Sequence, residues 1–116
     1  MQPDMEVVGE ARNGREAVEL WLRYRPDVVL LDFRMPQLDA AGVLKEIRVI
    51  DPDVRSIVLT TFDNESDALR AFRAGAKAYL LKDIFRKELL TCIRRVNAGE
   101  LFIQERRTGK MTSKNI

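Results

Sequence analysis

Three short segments constrain this chain more than anything else in it: Val28-Val29-Leu30-Leu31, Ile57-Val58-Leu59 and Ala78-Tyr79-Leu80-Leu81. Each is apolar at odd and even positions alike, and each ends on or beside a polar residue. A strand with one wet face alternates, so unbroken apolarity indicates a strand covered on both faces, as in a parallel sheet between helices. The intervening stretches have helical spacing. Asn13 caps a helix with Glu16 three residues on, in capping-box spacing, and Val18, Trp21 and Leu22 form its apolar stripe, with Leu20 and Tyr24 at the edges. Pro26-Asp27 stops it. After Met35-Pro36, Asp39 caps a helix carrying Ala41, Leu44 and Ile47, which Asp51-Pro52 ends. Asp63, Asn64 and Ser66 lead into a third with Ala68, Leu69 and Phe72, and Gly75 stands where a positive φ is wanted. A last helix, Phe85 to Ala98, turns Leu89, Leu90, Ile93 and Val96 inward and ends at Gly99. Ahead of all these, Met5 to Ala11 reads as a further strand. Strand and helix alternate four times, which predicts right-handed crossovers and a parallel α/β sheet.

The 116 residues suffice for one core. We place the domain at 1–103 and a basic polar tail or linker stub at 104–116. Arg106, Arg107, Lys110 and Lys114 against Glu105 give that tail three net positive charges, so with a total of +2 the body carries one net negative charge. Such a body is a poor nucleic-acid binder by itself. The absence of histidine excludes histidine catalysis and histidine-ligated metals. The single cysteine, Cys92, sits among Leu89, Leu90, Ile93 and Val96 and reads as a buried thiol. No apolar run approaches the ~20 residues of a membrane span, and Met1-Gln2-Pro3-Asp4 does not look like a secretory signal. The expectation is a cytoplasmic protein with no membrane partner.

Asp32, Thr60 and Lys82 stand where the apolar strands end. In a parallel sheet they share one carboxyl edge, where open α/β folds hold their ligands. A carboxylate there can attack a phosphoryl group, while a hydroxyl and an ammonium hold its oxygens as charge builds. Such chemistry also needs a divalent cation held by oxygen ligands.

These residues carry a resemblance. Val28-Val29-Leu30-Leu31-Asp32-Phe33-Arg34-Met35-Pro36 resembles the phosphoacceptor strand and loop of response-regulator receiver domains. The separations of 28 residues from Asp32 to Thr60 and 22 from Thr60 to Lys82 are similar to receiver spacings. Thr-Thr-Phe-Asp and Ala-Gly-Ala-Lys-Ala-Tyr-Leu-Leu-Lys-Asp resemble the NarL/LuxR-type transcription-factor subgroup, and the similarity runs from about Pro3 to Gly99. The resemblance implies a CheY-like, flavodoxin-like three-layer sandwich. It implies that Asp32 accepts a phosphoryl group from a sensor histidine kinase, that Thr60 is the switch hydroxyl, Tyr79 the aromatic that follows it and Lys82 the ammonium that pairs with the phosphate. Magnesium would be held by Asp32 and the backbone carbonyl of Arg34. The switching surface would comprise the helix near Asn64 to Ala74, the strand through Tyr79 and the final helix.

Departures temper that picture. Receivers begin with a strand ending in two acidic residues, followed by a helix, whereas this chain starts where the family's second strand starts. We therefore expect a fold lacking the first strand and helix, a Met1 that is not the natural start, and an incomplete, weakened magnesium site. Asp4 and Glu6 end no apolar run and cannot supply the missing pair. Gln37 and Ala40 stand where the family often has glycine. Contact with DNA is expected only through a C-terminal helix-turn-helix that the residues after Gly99 do not supply, and a homodimer would cover an exposed strand edge. The alternative function is a pseudo-receiver, an interaction fragment whose site is dead. A hydrolase of the haloacid-dehalogenase kind needs an aspartate where Arg34 stands, and neither Gly-x-Gly-x-x-Gly nor a P-loop occurs. The expected protein is a signalling domain and not an enzyme.

Overall fold

Hydrogen bonding in register joins the three apolar segments into one parallel sheet. The structure, a computed structural model, describes residues 3–61 and 64–104. Its elements run α1 (Gly14–Tyr24), β1 (Val29–Asp32), α2 (Ala40–Ile50), β2 (Ser56–Thr60), α3 (Glu65–Arg73), β3 (Ala78–Leu81), α4 (Arg86–Asn97) and β4 (Phe102–Ile103). The strand order is β1-β2-β3-β4, with every neighbouring pair parallel.

Capping side chains mark the starts of α1, α2 and α3. Asn13 Oδ1 accepts from the Glu16 N–H at 2.8 Å, Asp39 Oδ1 from Gly42 at 2.9 Å, and Asn64 Oδ1 from Ser66 and Asp67. The box expected at α1 closes one residue early: Glu16 accepts from the backbone N–H of Arg12 instead of Asn13. That bond and the Arg12 guanidinium hold its carboxyl below the usual glutamate range. Arg25, just ahead of Pro26, ends α1 in the left-handed region (φ 45°), its guanidinium 4.5 Å from the Trp21 ring centroid.

The core has two halves, one on each sheet face. Trp21, Leu31, Phe33, Val43, Leu44, Ile47, Val58 and Ala71 bring α1, α2 and α3 together on one face. On the other, Ile57, Ala78 and Leu80 pack against Cys92 and Val96 of α4. The three layers are those expected, with three helices on one side and one on the other. Leu30, on edge strand β1, is 40 % exposed.

Several expectations need correction. Met5–Ala11 forms no strand, although its composition suits one: among the described residues no strand lies beyond β1 to supply ladder bonds, and Val7 is 70 % exposed. Conversely, Phe102–Ile103 was not anticipated as a strand, yet it pairs with β3 and Phe102 N–H donates to Lys77 O at 2.8 Å. Gln104, assigned above to the tail, accepts from Leu81 N–H at 2.9 Å. Residues 105–116, the rest of that tail, lie outside the described residues, as does Asp63. Helix α3 buries Asp67 and Ala71 and leaves Leu69 exposed, and in α2 the buried stripe is Ala40, Val43, Leu44 and Ile47, with Ala41 only partly covered. No helix of the described residues is long and apolar enough to cross a membrane.

Candidate functional site

Sheet register places the chemistry. Asp32 lies opposite Leu59 and Thr60 opposite Leu81, so β1, β2 and β3 end nearly flush, with Lys82 one residue past the last. Two short backbone bonds lock these ends together: Phe33 N–H to Leu59 O and Lys82 N–H to Thr60 O, both 2.7 Å. Asp32, Phe33, Arg34, Leu59, Thr60, Thr61 and Lys82 line one depression at that edge.

Within it Lys82 Nζ stands 3.1 Å from Asp32 Oδ2, with both side chains nearly half exposed. In so wet a setting the pair adds little to stability, about 0–1 kcal/mol. It does fix an ammonium beside a carboxylate in an accessible place, and Thr60 is buried at the same rim. Tyr79 does not line the depression. It sits across the sheet, half-buried, edge-on to Phe33 with ring centroids 6.1 Å apart and an interplanar angle of 87°. The residue after Asp32 thus connects the site to the aromatic of β3.

The loop beyond β1 explains one departure noted above. Gln37 has φ 71°, the left-handed region glycine enters freely, so a glutamine there carries about 1 kcal/mol of backbone strain. Ala40 begins α2, buried, and its N–H donates to Phe33 O at 3.2 Å.

Asp4 is not among the residues that line this depression. Its carboxylate takes Nε and Nη2 of Arg94 on α4, at 2.9 and 3.2 Å, which lowers its pKa below the ordinary aspartate value. Among the described residues no group of three or more histidine, cysteine or acidic side chains could hold a metal. Asp32 is the one carboxylate among the residues that line the depression. Magnesium is commonly held by one or two carboxylates, substrate phosphate and several waters, and an accessible depression with one carboxylate is compatible with that.

The contact that the Arg34 side chain makes was not visible in the sequence. Arg34 Nη2 is 3.2 Å from Asp67 Oδ2 on α3, and the guanidinium carbon is 5.4 Å from the Phe33 ring centroid. No local pattern announces a contact between residues 33 apart. The only hint was a carboxylate in the first turn of a helix leaving the same sheet edge.

An open parallel sheet with helices on both faces, and a carboxylate beside an ammonium at its carboxyl edge, defines an open three-layer α/β domain with its site at the strand ends. Within that class the chain belongs to the response regulator receiver domain family, which it matches over residues 1–94. It is 37 % identical over 105 residues to the nitrate/nitrite response regulator NarL of Escherichia coli K12, covering 90 % of this chain and 49 % of that one. The chain spans about half the length of the curated relatives it matches. Among solved structures, a LuxR-family two-component response regulator from Aurantimonas sp. SI85-9A1 aligns with a TM-score of 0.82 and 31 % identity, over 89 % of this chain and 73 % of that one. The receiver domain of the sensor histidine kinase PA1611 from Pseudomonas aeruginosa PAO1, with a magnesium ion coordinated in its active-site cleft, aligns with a TM-score of 0.69 and 32 % identity, over 76 % and 74 %. The family and the CheY-like fold are those the sequence implied.

Proposed function

We propose that this domain accepts a phosphoryl group on Asp32 from a phosphohistidine of a sensor kinase, as the receiver half of a DNA-binding regulator. The observation that carries the reading is the Lys82 ammonium 3.1 Å from the Asp32 carboxylate in an accessible depression that Thr60 also lines.

In the transfer an Asp32 carboxylate oxygen attacks phosphorus. An oxygen–phosphorus bond forms as the nitrogen–phosphorus bond of the donor breaks, and the electron pair of that bond leaves on the imidazole nitrogen. Lys82 orients the carboxylate beforehand and then holds a phosphoryl oxygen. The Thr60 hydroxyl donates to another oxygen, so that charge on the transferring group meets fixed donors. Asp32 and the Arg34 carbonyl would hold magnesium, which when bound neutralises charge on the phosphoryl oxygens. With one side-chain carboxylate in the set, binding of that ion is weak and relies on water and the phosphoryl group for the remaining positions. Tyr79 follows Thr60, carrying the change to the face of β3 and α3.

Support for a DNA-binding partner domain comes from the relatives, named as transcriptional or response regulators and about twice as long. The test is intact-protein mass spectrometry after incubation with acetyl phosphate and magnesium. The chain is expected to gain one phosphoryl mass, Asp32→Asn none, and Lys82→Met markedly less. Unchanged mass, or an equal gain in Asp32→Asn, refutes the assignment and leaves a pseudo-receiver.

A further inference from the structure

Phe33 follows Asp32 directly and is almost wholly buried, and two guanidinium groups share its ring. The Cζ atoms of Arg34 and Arg70 each lie 5.4 Å from its centroid. Both arginines bridge elements: Arg34 Nη2 reaches Asp67 Oδ2 at 3.2 Å, and Arg70 Nη2 reaches Asp39 Oδ2 at 3.4 Å. Helix α3 is thus tied at its first turn to the loop after β1, and by Arg70 to the cap of α2.

The two members of the first tie differ. The Asp67 side chain is 12 % exposed, whereas that of Arg34 is 72 % exposed and also lines the depression holding Asp32 and Lys82. The arginine is the partner able to move. Asp67 also lies in the first turn of α3, where the helix N-terminus favours a carboxylate with or without the arginine.

We propose that Arg34 is a shared guanidinium. It holds Asp67 while Asp32 is bare and turns to the phosphoryl oxygens once Asp32 is phosphorylated, which frees the first turn of α3 from the β1 loop. This rests on the reading of Asp32 as phosphoacceptor. Forming the acyl phosphate replaces one negative charge with about two and adds three strong acceptor oxygens, more acceptor positions than Lys82 and the Thr60 hydroxyl fill. Arginine pairs with phosphate in a two-pronged geometry that a single contact to a carboxylate oxygen does not match. No covalent bond forms or breaks in this step. Arg70 stays on Asp39 and Phe33, so α3 pivots about that anchor and does not detach. Arg34 acts here as a positioning residue for the output face, a role additional to its backbone carbonyl.

The test is amide hydrogen exchange over Glu65–Arg73, read by mass spectrometry with phosphoryl occupancy measured in the same samples and compared at equal occupancy. In the wild-type chain, acetyl phosphate with magnesium is expected to speed exchange in the first turn of α3 about two- to fivefold, the size a partly exposed ion pair supports. Asp67→Asn and Arg34→Gln should each show that faster exchange without phosphorylation, with α2 and β2 unchanged as a check on folding. Arg34→Gln should then gain nothing further on phosphorylation, while Arg34→Lys, which keeps the charge but not the fork, recovers part of the response. A phosphorylated wild type with unchanged α3 exchange, or an Arg34→Gln chain with the full increment, overturns this inference alone. A wild type that takes up no phosphoryl group overturns the reading of Asp32 and this inference with it.

Discussion

Replacing Gly14 with alanine sets two effects of opposite sign against each other. Gly14 opens α1, buried against the loop that follows Asp32, and its N–H donates to Pro36 O at 3.2 Å. A Cβ built there falls 1.7 Å from the carbonyl oxygen of Leu38 and 2.5 Å from its carbonyl carbon. Reaching even a tight carbon–oxygen contact means backing the helix away by roughly 1.5 Å. The obstacle is backbone, so no side-chain rotation relieves it. Overpacking of this kind costs about 3 kcal/mol, and the stretched hydrogen bond about 1 kcal/mol more. Against this, alanine gains about 1 kcal/mol over glycine in a helix. The net loss comes to about 3 kcal/mol, more than a hundredfold in the folding equilibrium. Gly42→Ala is the control. Its Cβ would meet the Leu38 side chain, with Cδ1 at 2.5 Å, and that flexible end can swing aside, so the change stays within about 1 kcal/mol of zero. Urea unfolding followed by the fluorescence of buried Trp21 measures both. A Gly14→Ala chain as stable as Gly42→Ala would refute the reasoning and mean that α1 does not seat on this loop.

Other expectations follow from single sites. The Ser56 hydroxyl is buried with no hydrogen-bond partner among the described residues, so Ser56→Ala should leave stability unchanged or raise it by up to about 1 kcal/mol, and a drop in the urea midpoint would contradict this. Gln37→Gly relieves the positive φ but adds freedom to the unfolded chain, and a net gain of about 0.5 kcal/mol is expected in the same assay. Burial pushes the Cys92 thiol up to about 11, so iodoacetamide should label it at neutral pH only after unfolding, and rapid native labelling would show that α4 lifts off. Because the folded value lies above the ordinary one near 9, the fold keeps its full stability from this group below that pH and loses it as pH rises toward 11. Cys92→Ala should flatten that part of the stability profile.

What the amino-acid order settled alone was local and periodic. Unbroken apolarity marked β1, β2 and β3, polar caps marked the starts of α1, α2 and α3, and Gly75 took the positive φ its place calls for. Asp32, Thr60 and Lys82 were legible because a polar residue at the end of a doubly buried strand has few other places to be. What tertiary structure decided depends on partners distant in the chain. Met5–Ala11 has strand composition and no strand, while Phe102–Ile103 is too short for any period and is one, because a strand exists only through its neighbour's hydrogen bonds. The outward turn of Leu69 and the tie from Arg34 to Asp67 were hidden for a related reason. Spacing names the face of a helix, but only packing decides which face turns inward and which charge stands opposite.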